Sequence, residues 1–114
     1  MIGGGQLARM MIGPAVELGI DVNVLGETEG SSASIAVSRV GDYRDRDTVL
    51  AFAETVDAVT FDHEHVPQEI LRELVARGVQ VHPGPDALLY AQDKLLMRER
   101  LGRLGLPLPE WAAV

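Results

Sequence analysis

The stretch GGGQLARMMIGPAVELG, residues 3–19, begins with a glycine-rich turn and continues with apolar residues at helical spacing. Residues 3–8 fit the pattern G-x-G-x-x-A, in which backbone N–H groups at the start of a helix approach a phosphate. The sequence therefore predicts a phosphate-binding turn followed by a helix that ends at Gly19. Pro14 predicts a kink or a ragged end, because it removes one backbone hydrogen bond. A steep turn that binds no ligand remains an alternative reading of the same glycines.

Apolar segments of strand length and helix length alternate along the rest of the chain, which is typical of a parallel sheet flanked by helices. We expect strands at 20–25, 58–61 and 79–81, with a brief strand beginning at Val40. We expect helices at 33–39, 45–55 and 67–78 and a nearly continuous helical region at 86–104. The predicted fold class is α/β.

The character of the chain changes near residue 85, which predicts a sheet domain at 1–84 and a helical region at 85–114. Only Met1 and Ile2 precede the glycine-rich turn, so we expect the first strand to be largely missing. The apolar run that starts after Glu110 has nothing following it to cover it. We therefore expect the chain to be a fragment of a longer protein.

Composition narrows the function classes. The chain has 114 residues, a net charge of −7 and no cysteine. The acidic surface argues against nucleic acid as a partner, and the missing cysteines exclude disulfides and thiolate nucleophiles. No apolar run approaches the roughly 20 residues of a membrane helix, and no signal peptide is apparent. The sequence predicts a soluble, cytoplasmic protein that does not bind a membrane.

The loop Asp62-His63-Glu64-His65 follows the predicted strand at 58–61, and ligands of parallel sheets bind beyond the carboxyl ends of strands. Asp62 or Glu64 could contact a ribose hydroxyl or an amine, or the segment could serve only as a cap and turn before Pro67. In an extended segment, adjacent side chains point to opposite faces, so we predict that the loop binds no metal.

Two further charged positions have more than one reading. Glu27 lies about 20 residues beyond the turn, where a dinucleotide site keeps its ribose-binding acid. The basic residues from Lys94 to Arg103 could form a solvated helix face.

Three segments together resemble the ATP-grasp carboxylases of purine synthesis, the carboxyaminoimidazole ribonucleotide synthase family. These segments are Ile2–Met11, Val59–Pro67 and Ala91–Leu95, the last followed by Leu104–Pro107. Their order and separations cover nearly the whole chain. The resemblance implies a Rossmann-like pre-ATP-grasp domain at 1–84 and the helical start of an ATP-grasp domain at 85–114.

The resemblance also implies an activity and its site residues. Enzymes of this family use ATP and bicarbonate to carboxylate the exocyclic amine of aminoimidazole ribonucleotide. Gly5, Gln6, Leu7 and Glu64 become candidate contacts of the ribonucleotide, and Lys94 becomes a candidate contact of ATP. The Mg²⁺ ligands are expected beyond residue 114, so this chain alone should be inactive. The family further implies a homodimer of the full-length enzyme.

Three other functions compete with this reading. Other ATP-grasp ligases share the architecture, for example the formate-using glycinamide ribonucleotide transformylase or enzymes of the biotin carboxylase type. A nicotinamide-dependent oxidoreductase would use the glycine-rich turn together with Glu27. A non-catalytic nucleotide-binding module would also be consistent with so short a chain.

Overall fold

A computed structural model describes residues 1–113 of the chain, in which helices and strands alternate. The strands are β1 (Val24–Gly26), β2 (Val37–Val40), β3 (Ala58–Val59) and β4 (Gln80–Val81). The helices are α1 (Gln6–Leu18), α2 (Arg46–Ala53), α3 (Gln68–Ala76), α4 (Pro85–Gln92) and α5 (Lys94–Arg103). The predicted α/β class is confirmed.

Residues 1–3 complete a continuous parallel sheet. β1 pairs with β2 and β3 pairs with β4, both in parallel, and Ile2 forms parallel bridges to Leu25 and Phe61. The Ile2 N–H donates to the Thr60 carbonyl at 2.8 Å, and the side chain of Ile2 is fully buried. The first strand is thus reduced to isolated bridges at Ile2, and the backbone hydrogen bonds of Ile2 and Gly3 still hold the start of the glycine-rich turn at the centre of the sheet.

Several predicted elements differ in extent. The strand at 20–25 is reduced to β1, and the expected helix at 33–39 is a 3₁₀ turn at Ser34–Ala36 followed by β2. The predicted helical region at 86–104 divides into α4 and α5. Asp93 has extended backbone angles, and its carboxylate accepts hydrogen bonds from Leu95 and Leu96, so it ends one helix and caps the next.

Helix α1 runs without interruption through Pro14, so the predicted ragged end is wrong. The Pro14 side chain is exposed, and the helix reaches Gly19 as predicted. Gly19 has φ +69°, and its N–H donates to the carbonyls of Ala15 and Val16. The left-handed glycine thus fixes where the helix stops.

The sheet separates two apolar layers of unequal size. The larger layer lies between the sheet and helices α2, α3 and α4, and includes Phe52, Val59, Ile70, Leu71 and Leu74. The smaller layer lies under α1 and contains Met1, Ala8, Val24 and Ala33. Neighbouring residues such as Val24 and Leu25 enter opposite layers, as strand alternation requires. Among residues 1–113, no helix is long and apolar enough to span a membrane.

Candidate functional site

The glycine-rich turn and the Asp62–His65 segment lie side by side at one edge of the sheet. Each follows a parallel strand position, and the Asp62 N–H donates to the Ile2 carbonyl at 2.9 Å. The Gly3 N–H donates to the Leu25 carbonyl at 2.9 Å on the other side. Because the carboxyl ends of parallel strands share an edge, the two candidate segments form one site.

The carboxylate of Asp62 caps helix α1. Its Oδ2 accepts from the Gly5 N–H and its Oδ1 from the Ala8 N–H, both at 2.7 Å. Gly5 occupies the N-cap position and has no side chain to fill that role. The predicted phosphate therefore finds no free donor at Gly5 or Ala8.

A second carboxylate lies at the same turn. Glu27 Oε2 accepts from the Gly4 N–H and its Oε1 lies against His63 Nε2, both at 3.2 Å. Burial raises the pKa of Glu27, but hydrogen bonds from its own N–H and that of Gly4, together with His63, lower the pKa below its ordinary value. Glu27 is therefore ionised at neutral pH. The ring of Tyr43 packs on His63, with centroids 4.5 Å apart.

The predicted ribonucleotide contacts lie around these carboxylates. Gln6 and Leu7 are exposed in the first turn of α1, and Gln6 Oε1 accepts from the Ser32 hydroxyl at 3.1 Å. Among the residues that the structure describes, the N–H groups of Gln6 and Leu7 have no partner. Glu64 is half-buried in the Asp62–His65 segment, which the hydrogen bonds of Asp62 hold against the glycine-rich turn. The fold therefore brings Gly5, Gln6 and Leu7 to the same edge as the segment of Glu64.

Gln92 ties the α4–α5 junction to the Glu64 segment. Its Nε2 donates to the carbonyls of Glu64 and Val66, each at 2.7 Å, and its Oε1 accepts from Gln68 at 2.9 Å. Lys94 follows two residues later as the first residue of α5. The Lys94 side chain is exposed and borders a shallow groove shared with Arg98 and Trp111.

The acidic and histidine side chains of the segment do not converge on one point. Asp62 caps α1, His63 contacts Glu27, and the rings of His63 and His65 stack with centroids 5.3 Å apart. Within residues 1–113, no group of three or more histidine, aspartate or glutamate side chains is arranged to hold a metal ion. The described residues therefore do not fit a Mg²⁺ site.

Two of these contacts were not predicted from the sequence. The sequence predicts Asp62 only as a ligand contact or a local cap, whereas its carboxylate caps a helix whose Ala8 lies 54 residues away. The sequence does carry one signal for this contact. Helix α1 begins after a glycine, which has no side chain to cap it, and an acidic residue follows a different strand. Gln92 belongs to a segment that carried the resemblance, but no feature of its surroundings in the sequence indicated its partners.

Comparison with known proteins identifies similar sequences. The ribonucleotide synthetase preATP-grasp domain family matches residues 1–92. The N5-carboxyaminoimidazole ribonucleotide synthase of Corynebacterium ammoniagenes is 48% identical over the whole chain. The protein of the same name from Mycobacterium tuberculosis H37Rv is 45% identical, also over the whole chain. The chain spans only 28% and 27% of the lengths of these two proteins.

Solved structures show the same architecture. The N5-carboxyaminoimidazole ribonucleotide synthetase of Thermotoga maritima superposes with a TM-score of 0.84 at 35% identity, over 96% of this chain and 31% of that one. The synthase of Aspergillus clavatus, solved with ADP and 5-aminoimidazole ribonucleotide, gives a TM-score of 0.82 at 34% identity. That match covers 96% of this chain and 30% of the Aspergillus chain.

Proposed function

The chain belongs to the ribonucleotide synthetase preATP-grasp domain family, and we propose from this that it forms the first domain of an ATP-dependent ligase. The proposed enzyme carboxylates aminoimidazole ribonucleotide with bicarbonate and releases ADP and phosphate. The observation that carries the proposal is the single site formed by the glycine-rich turn and the Glu64 segment. The whole length of the chain also matches N5-carboxyaminoimidazole ribonucleotide synthases. The proposal includes a cytoplasmic location and a homodimer of the full-length enzyme.

In the proposed complex, the ribonucleotide lies against the carboxyl edge of the sheet. The N–H groups of Gln6 and Leu7 donate to it, and Gly5 allows close approach of the backbone. Glu64 accepts a hydrogen bond from a hydroxyl or amine of the ribonucleotide. A domain that holds the ribonucleotide rigidly suits a reaction in which the amine must meet an unstable carboxyphosphate before water does.

ATP is the proposed co-substrate, and Lys94 is its proposed contact in this chain. The Lys94 ammonium is exposed at the start of α5, where it can approach a phosphate oxygen of ATP. Lys94 lies in residues 85–114, the region that we assign to the ATP-grasp domain. We place the Mg²⁺ ligands in the further length that the synthases have, and we expect the 114-residue chain alone to be inactive.

The test of the function uses a full-length enzyme that contains this chain. Release of phosphate should require aminoimidazole ribonucleotide, ATP and bicarbonate together. We expect Glu64→Gln to raise the KM for the ribonucleotide about tenfold, because a hydrogen bond to a charged group is lost. Glu69→Gln is the matched control, since Glu69 is exposed in the first turn of α3. Absence of ribonucleotide-dependent turnover, together with a change in NADH fluorescence on binding, would instead support an oxidoreductase.

The role of Lys94 has its own test in the same enzyme. Loss of a charge-assisted hydrogen bond to a phosphate costs on the order of 1.5–3 kcal/mol, so Lys94→Ala should raise the KM for ATP roughly ten- to a hundredfold. Lys94→Arg should restore part of the affinity, because the positive charge remains. Arg100→Ala, near the end of α5, is the control. An unchanged ATP dependence in Lys94→Ala would show that Lys94 belongs to a solvated helix face.

A further inference from the structure

The start of α1 already holds a carboxylate where a phosphate would otherwise bind. Both oxygens of Asp62 accept backbone N–H groups of the first turn, at Gly5 and Ala8. Of the other two N–H groups in the glycine turn, that of Gly4 donates to Glu27 and that of Gly3 donates to the Leu25 carbonyl. The positive end of the helix therefore faces two anions that the protein itself supplies.

We propose that Asp62 is a positioning residue that holds the glycine-rich turn and keeps the phosphate of the ribonucleotide away from it. The turn then presents Gln6 and Leu7 to the uncharged ribose and base, and the phosphate is bound elsewhere. This assignment rests on the proposed function, in which those residues contact the ribonucleotide. It differs from the phosphate-binding role that the glycine pattern predicts.

The electrostatic argument depends on charge already present at the turn. A phosphate that approached Gly5 or Ala8 would have to displace the Asp62 carboxylate, and one that approached the N–H groups of Gln6 and Leu7, which are unpaired within residues 1–113, would lie beside it. Like charges in a partly desolvated site repel. Glu27 adds a second negative charge on the Gly4 side. A ribose hydroxyl meets neither penalty, because it can donate to a carboxylate and accept from an N–H.

The identity of residue 5 supports the same arrangement. Gly5 has φ −81°, which any residue can adopt. A Cβ placed on Gly5 would lie 2.1 Å from Asp62 Oδ2, so the carboxylate by itself requires glycine at this position. We therefore expect Gly5→Ala to lower the Tm of the wild-type chain much more than it lowers the Tm of an Asp62→Ala chain. Equal losses in the two backgrounds would contradict the assigned contact.

Inorganic phosphate tests the exclusion directly on the 114-residue chain. Amide signals of Gly5 and Ala8, followed by NMR during a phosphate titration, should show no saturable shift in wild type. The same signals in Asp62→Ala should acquire one, because the helix start is then free to bind an anion. A saturable response in wild type, or none in the folded variant, would overturn the proposal. Asp62→Asn, which keeps one acceptor oxygen, provides a second variant if Asp62→Ala does not fold.

The positioning role is tested in the full-length enzyme. Asp62→Asn should raise the KM for aminoimidazole ribonucleotide about tenfold and leave the KM for ATP unchanged. Asp45→Asn is the matched control, because Asp45 caps α2 through the Thr48 N–H at 2.7 Å and lies outside the site. An unchanged ribonucleotide KM in Asp62→Asn would refute the positioning role. If wild type shows no turnover, the proposed function fails, whereas the phosphate titration still decides whether Asp62 excludes the anion.

Discussion

At the scale of single residues, Gly3 combines a left-handed backbone conformation with close neighbours. Its φ is +98°, and a Cβ there would lie 2.8 Å from both Asp62 Cβ and His63 Cδ2. Alanine would add backbone strain and a clash with the segment that carries the site. We expect Gly3→Ala to lower the free energy of unfolding by about 1–3 kcal/mol, measured by denaturant titration.

Gly30→Ala is the control for this substitution. Gly30 is exposed in the loop after β1, is not among the glycines of positive φ, and has nothing within 4 Å of an added Cβ. Gly30→Ala should change the free energy of unfolding of the protein by no more than about 0.5 kcal/mol. Equal losses for the two variants would show that Gly3 is not constrained as the structure describes.

At the scale of elements, an ion pair links α2 to α3. The Arg46 guanidinium donates to both carboxylate oxygens of Glu73, through Nε at 2.7 Å and through Nη2 at 2.5 Å. Arg46 and Arg77 hold the pKa of Glu73 below its ordinary value of 4.5. The resulting stabilisation is present above that value and is lost as pH falls through the lower pKa of the folded state.

We therefore expect Glu73→Gln to lower the Tm at pH 7 and to have a diminishing effect as the pH falls below 4.5, the ordinary value of the glutamate pKa. Thermal unfolding of both proteins across this pH range measures the difference. Asp47→Asn is the control, because Asp47 also contacts Arg46 but does not connect the two helices. A Tm difference that is independent of pH would mean that Glu73 acts through packing and not through charge.

At the scale of the whole molecule, the two apolar layers should contribute unequally to stability. Ile70 is 3% exposed in the larger layer, whereas Ile12, a residue of α1, is only partly buried in the smaller one. Ile70→Ala should cost about 2–5 kcal/mol, because it removes buried methyl groups and leaves a cavity. Ile12→Ala should cost clearly less, since part of its side chain already contacts water.

Denaturant titration of the two alanine variants measures this difference with the same chemical change in each layer. A cost at Ile12 equal to that at Ile70 would show that α1 packs more tightly than the partial burial of Ile12 indicates.

The sequence by itself determined the features that depend on near neighbours. The α/β class, the path of α1 to Gly19 and the glycine-rich turn follow from periodicity and glycine placement, which act within a few residues. The loop after β3 could also be singled out, because a short apolar run followed by polar residues indicates the end of a buried strand. The break between α4 and α5 was missed, although Asp93 is a capping residue type, because the flanking residues continue a helical pattern.

Only the tertiary structure decided which distant groups meet at the site. Residues 1–3 lie at the centre of the sheet because β1 and the residues that follow β3 pair with Ile2 on its two sides. No local sequence pattern specifies this order of strands. The same pairing brings Asp62 to Gly5, 57 residues away, and the packing of α4 brings Gln92 to Glu64, 28 residues away. A glycine pattern states that N–H groups are available at a helix start. Which anion they meet depends on the neighbouring strand, and here that anion is the carboxylate of Asp62.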